Sequence, residues 1–126
     1  MPEYRLTTPD GQSFLAEVKT IEAALGKNGL QRNLQKAISQ IKEASIRTGE
    51  KGGYIRIDAS SSPSTTLTRD QIEGIVKGQL LTIDQKTGTK GSDFVEFVEV
   101  LYKDTAGQPQ KLLARVQQNG SIVTSP

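Results

Sequence analysis

The chain has 126 residues, with 16 Lys and Arg against 14 Asp and Glu, and it contains neither His nor Cys. That length suits one domain that buries its own core without staples. The absence of His and Cys excludes imidazole acid–base catalysis, thiolate chemistry, Ser-His-Asp hydrolysis and most zinc sites. Any catalysis must therefore use carboxylates, Lys, Arg, Tyr, Ser, Thr or a bound metal.

The first predicted element is a β-hairpin. Residues 3–8 and 12–20 alternate with period two on either side of Thr8-Pro9-Asp10-Gly11. In that tetrapeptide Pro presets φ, Asp caps the turn and Gly accepts positive φ. A type I turn with a Gly bulge pairs Thr8 with Gln12, so paired positions sum to 20. Glu3 then falls opposite Glu17, and Lys19 projects from the same face as Glu17, roughly 6–7 Å along the strand. The opposite face, with Tyr4, Leu6, Phe14, Ala16 and Val18, is expected to be the buried one. Like charges facing each other across a ladder are destabilising. A divalent cation held between Glu3 and Glu17 would remove that conflict.

Beyond the hairpin, residues 21–28 read as a loop or short helical turn ending in Gly26-Lys27-Asn28-Gly29. Leu30, Leu34, Ala37, Ile38, Ile41 and Ala44 recur at helical spacing, which predicts an amphipathic helix over 30–46. Gln31, Arg32, Gln35 and Gln40 are candidates to face the acids from that helix. A glycine-rich break at 48–53 precedes a short strand at 54–59, in which Asp58 is expected to cap the following Ser/Thr/Pro loop. Thr68 is a good N-cap for a second helix through about Leu81. A Gly/Lys loop at 86–92 is followed by strands at 94–102 and 111–117 and a tail strand at Ile122 and Val123. The order β-β-α-β-α-β-β predicts an α/β or α+β domain. Its central sheet is mixed, with flanking helices and a right-handed βαβ crossover.

Charge is distributed unevenly. Between Lys19 and Arg56 there are eight basic residues and only three acids, giving +5 in that window and −3 elsewhere. A positive face carrying Lys27, Arg32 and Lys36 beside the two glutamates would attract a phosphate backbone. No apolar run approaches the roughly 20 residues of a membrane span. The chain starts directly in a strand, as expected of a module of a longer protein.

Pro2-Glu3 followed by Glu17-Val18-Lys19 resembles the motif of the PD-(D/E)xK nucleases, the restriction-endonuclease-like superfamily. The family usually places Asp at the first acid, where this chain has Glu3. Asp10 supplies an alternative match by letter, but a residue at the hairpin tip lies roughly 20 Å from Glu17 along an extended strand. The resemblance implies that Glu3 and Glu17 ligate Mg²⁺, Mn²⁺ or Zn²⁺. It further implies that Lys19 orients the attacking water and stabilises the phosphorane, and that Gln35 matches the Gln some branches place after the lysine.

A second resemblance covers about residues 2–81. The segments Glu17-Val18-Lys19-Thr20, Asn33-Leu34-Gln35-Lys36-Ala37-Ile38-Ser39-Gln40 and Ile57-Asp58 look like the C-terminal toxin domains of contact-dependent growth inhibition and other polymorphic toxins. It implies a nuclease acting on DNA or tRNA in the cytoplasm of a target bacterium, neutralised by a cognate immunity protein. Two other readings stay open: a metal-independent RNase toxin of the barnase or colicin kind, and a non-catalytic binding module.

Overall fold

The computed structural model describes residues 4–7, 9–11 and 13–126. The hairpin is formed by β1 (Tyr4–Thr7) and β2 (Ser13–Thr20). Its four pairs run from Tyr4 with Ala16 to Thr7 with Ser13, and every pair sums to 20 as the turn chemistry predicts. Gly11 has φ +88, the left-handed value that a turn demands there and that a Cβ would oppose. Thr8 and Gln12 themselves lie outside the described residues, as does Glu3.

Helix α1 (Lys27–Thr48) is longer than the periodicity suggests at both ends. Leu30, Leu34, Ala37, Ile41 and Ala44 form its buried stripe. Strand β3 (Gly53–Asp58) follows, then α2 (Arg69–Leu81), which opens on the predicted cap. The Thr68 hydroxyl accepts from the Gln71 N–H, and the Gln71 side chain accepts from the Thr68 N–H, a reciprocal capping box. Three longer strands close the chain: β6 (Val95–Lys103), β7 (Pro109–Val116) and β8 (Ile122–Ser125). Between α2 and β6, where the sequence suggests only a loop, β4 (Ile83–Asp84) and β5 (Thr89–Lys90) pair as a small antiparallel ladder.

The main sheet has six strands in the order β1-β2-β3-β6-β7-β8. β2, β3 and β6 are mutually parallel through the two helical crossovers, and the outer pairings are antiparallel. The fold is thus a mixed α/β arrangement with a mixed sheet and two helices, consistent with an α+β class.

Both helices cover the same face. Their buried residues join Leu15, Ile55, Ile57, Val98, Val100, Leu112 and Ala114 in a single core cluster. Gly53 makes that packing possible where β3 begins, because a Cβ there would come within 2.4 Å of the Ile41 side chain. The opposite face of the sheet carries no helix among the described residues.

Candidate functional site

Glu17 and Lys19 belong to the helix-covered side of β2. Glu17 pairs with Ile55 and Lys19 with Ile57 in the parallel ladder, and Ile55 and Ile57 are fully buried core residues. The helix-covered face is therefore the one opposite to that expected, although Ala16, expected to be buried, is so at 3% exposure. Leu15, in phase with the charged pair, enters the core, whereas Phe14 is half-buried and Val18 is 42% exposed on the uncovered face. The physical reason is the crossover: α1 follows β2 immediately and packs across β2 and β3, so it selects the face that is buried.

Burial of Glu17 is nearly complete, at 7% relative exposure. Loss of hydration raises its pKa above the ordinary 4.5, and the nearby Lys19 charge partly offsets this. Lys19 is half-buried, with its strand position two residues beyond Glu17. A carboxylate and an ammonium are thus presented together at the margin of the core.

A basic groove lies at the start of α1, and neither Glu17 nor Lys19 is among the residues that line it. The segment after β2 is tied to the sheet by Ile21, whose N–H donates to the Asp58 carbonyl at 2.9 Å. Two buried hydroxyls hold it from the 59–65 loop. Ser62 Oγ donates to the Ile21 carbonyl and Thr65 Oγ1 to the Leu25 carbonyl, both at 2.6 Å. This fixes the start of α1, whose N-cap, Gly26, makes no side-chain cap and whose first turn holds no acid. Ile21, Lys27, Asn28, Arg32, Asn33 and Lys36 line a groove of about 660 Å³ there. All three predicted phosphate-binding cations share it, and no acidic residue lines it.

Gln35 lies elsewhere. It lines a cleft of about 180 Å³ with Ile38, Lys42, Gln79, Thr82 and Phe94, and Glu17 is not among the residues of that cleft. Lys42 is held there by Asp84 at 3.0 Å and Thr87 at 2.8 Å. Gln40 projects from the opposite flank of α1, five residues and 140° further round the helix from Gln35. Gln31 and Gln40 are both half-buried. Asp58 behaves as a capping residue, accepting from the Ser60 N–H at 3.0 Å and the Ser60 hydroxyl at 2.5 Å. Those hydrogen bonds hold its pKa below the ordinary carboxylate value.

Asp10 sits in the exposed turn. From Ser13, the nearest described pair to the turn, Glu17 is four residues, or about 13 Å, along the strand. Glu3, predicted to face Glu17, lies outside the described residues. Among the described residues no group of three His, Cys, Asp or Glu could hold a metal ion.

One arrangement was not anticipated from the sequence. On the uncovered face, Tyr54 and Phe97 stack with centroids 5.7 Å apart, and the Arg115 guanidinium lies 5.1 Å from the Phe97 centroid. Its signal is the phase of residues 95–103, where Phe97 and Glu99 fall out of step with Val98, Val100 and Tyr102. Compared with protein-family models, curated proteins and solved structures, the chain matches none.

Proposed function

We propose that this domain is a metal-dependent nuclease of restriction-endonuclease-like organisation, hydrolysing phosphodiester bonds in DNA or tRNA. The reading rests above all on Glu17, a residue buried to 7% exposure whose carboxylate feels the Lys19 charge; a separate groove without an acid among its walls carries Lys27, Arg32 and Lys36. Burying a carboxylate costs stability, and carboxylates with perturbed pKa values concentrate at functional sites.

The donor chemistry suits a hard cation. Glu17, with Glu3 entering from the sequence register, offers carboxylate oxygens only, and the chain has no His or Cys. Mg²⁺ or Mn²⁺ accepts one or two carboxylates and retains water, whereas zinc sites favour nitrogen and sulfur. When bound, such an ion supplies an acidified water and screens the phosphate. The residues of the chain do the rest. Lys19 donates a hydrogen bond to the attacking oxygen and balances charge at the phosphorus, while Lys27, Arg32 and Lys36 hold the flanking phosphates in register. A role as an interbacterial toxin domain, held by an acidic immunity protein over the same basic groove, is part of this proposal.

The test is incubation with tRNA, single-stranded DNA and duplex DNA in Mg²⁺, Mn²⁺, Zn²⁺ or EDTA. Cleavage that EDTA abolishes is expected, and no cleavage under any condition rejects the reading. A second reading draws on the raised pKa of Glu17, which suits a general base in a metal-independent RNase. RNA cleavage that persists in EDTA would select it.

A further inference from the structure

The face of the sheet that no helix covers has a composition unlike a solvated surface. By strand register, the positions that share it include Tyr54 and Arg56 on β3 and Phe97, Glu99, Leu101 and Lys103 on β6. Lys111, Leu113 and Arg115 on β7 and Val123 and Ser125 on β8 complete the central and distal strands. Val123 is 53% exposed and Leu113 half-buried. Arg56 is paired with Glu99 at 2.9 Å, so its charge is spent within the face. Asp58 is occupied by Ser60. Lys111 and Arg115 are exposed and have no carboxylate partner among the described residues.

Next to the Tyr54–Phe97–Arg115 stack lies a groove of about 240 Å³ lined by Phe97, Leu113, Arg115, Gln117, Val123 and Ser125. Its walls are of two kinds. Leu113 and Val123, beside the Phe97 ring that Tyr54 and Arg115 already flank, offer apolar surface suited to the face of a flat ring. The Gln117 amide and Ser125 hydroxyl offer donors and acceptors suited to its edge. The Arg115 guanidinium, stacked on Phe97, keeps its planar N–H fork for an anion. Apolar face, polar edge and adjacent cation are the three demands of a nucleotide within an unpaired strand.

From this juxtaposition we infer that the uncovered sheet face binds single-stranded nucleic acid, seating one base in the Phe97–Val123 groove. Arg115 and Lys111 take the neighbouring phosphates. A second copy of the chain is a poorer occupant, because two such faces would oppose their unpaired Lys111 and Arg115 charges. A duplex is poorer too, since its base faces are already stacked. The inference stands apart from the hydrolytic reading, for the groove is on the side of the sheet away from Glu17.

The test is fluorescence anisotropy in EDTA, so that hydrolysis cannot intervene. Uridine and thymidine oligonucleotides of about twelve nucleotides, a length within the site sizes of known single-strand-binding domains, are compared with a duplex of equal length. Single strands should bind at least about tenfold more tightly than the duplex. Arg115→Ala and Val123→Glu, both at exposed positions, should each weaken that binding about tenfold. Backbone amide spectra should show the fold intact, with oligonucleotide-induced shifts at Phe97, Leu113, Arg115 and Val123. Binding of the uridine strand alone assigns RNA, of the thymidine strand alone DNA, and of both a readout of base and phosphate only. Each of these supports the inference. It is overturned by equal or tighter duplex binding, by unchanged affinity in both variants, or by shifts confined to Lys27, Arg32 and Lys36. Absence of binding to every oligonucleotide overturns it as well and leaves the face to an acidic protein.

Discussion

Glu17 stands opposite Ile55 in the parallel ladder between β2 and β3, so a carboxylate shares a face with a fully buried core side chain. Such a position opposes stability unless ligand or metal removes the conflict. Glu17→Gln should therefore separate function from folding. It removes the charge at nearly constant volume, so cleavage should be lost while the domain becomes more stable, by about 1 kcal/mol or a few degrees in Tm.

The sign of the pH dependence follows from the same burial. Glu17 is raised above the ordinary 4.5, first by desolvation, so the folded chain binds its proton more tightly than the unfolded chain. Stability therefore falls as pH rises from that ordinary value through the raised one, and the destabilisation is complete above it. The gain from Glu17→Gln should be present at neutral pH and vanish below about 4.5. Urea denaturation of both proteins across this range measures it. A variant less stable than wild type at neutral pH would show that Glu17 is a satisfied structural residue.

Lys19→Ala tests the second member of the pair. Losing one fixed charge at a phosphoryl centre commonly costs on the order of 10²–10³ in rate. Lys19 also lowers the Glu17 pKa, so its loss should move the acidic limb of the activity profile to higher pH. Lys19→Arg should restore that limb while recovering only part of the rate, because the guanidinium differs in shape and donor geometry. Rates unchanged in Lys19→Ala would remove it from the site.

The hairpin register was legible because the turn residues and the period-two alternation act locally, and one misplaced residue would flip both faces. Which face is buried was not legible. Both phases of β2 contain apolar residues, Leu15 in one and Phe14, Ala16 and Val18 in the other. Only the placement of α1 decides between them, a tertiary effect. The β4–β5 ladder escaped for a different reason. Two paired positions, Ile83 with Lys90 and Asp84 with Thr89, are too few for a periodic signal. The ladder is also braced from afar, by the Lys42–Asp84 ion pair. Gln35 fell on the α2 side of α1, because helical spacing sets relative arcs but not the neighbour each arc meets.

Thr65 offers a test of how the basic groove is positioned. It is 3% exposed, donates to the Leu25 carbonyl at 2.6 Å and accepts from the Leu67 N–H at 3.0 Å. Thr65→Val keeps the shape but leaves both backbone groups without their partner, at a cost of about 1–3 kcal/mol. Because Leu25 immediately precedes the N-cap of α1, substrate affinity should fall along with stability. Thr65→Ser, which keeps the hydroxyl, should recover most of both. A loss of stability without any change in substrate affinity would show that the 21–26 segment does not set the groove.

The cations of that groove carry the last prediction. Lys27, Arg32 and Lys36 line one concave surface without an acid among its walls, so a phosphate backbone and an acidic immunity protein would compete for it. Their attraction should chiefly accelerate association and weaken as salt rises, with a screening length near 10 Å at 0.1 M. Arg32→Glu with Lys36→Glu should lower nucleic-acid affinity by at least tenfold at low salt and flatten its salt dependence, since each lost phosphate contact reduces the slope by about one. Both positions are exposed on α1, so the fold should be kept. Inhibition by an acidic partner should weaken in parallel, and excess oligonucleotide should displace that partner from the wild type. If neither affinity nor its salt slope changes, the groove is a solvated surface, and substrate must reach Glu17 and Lys19 by another route.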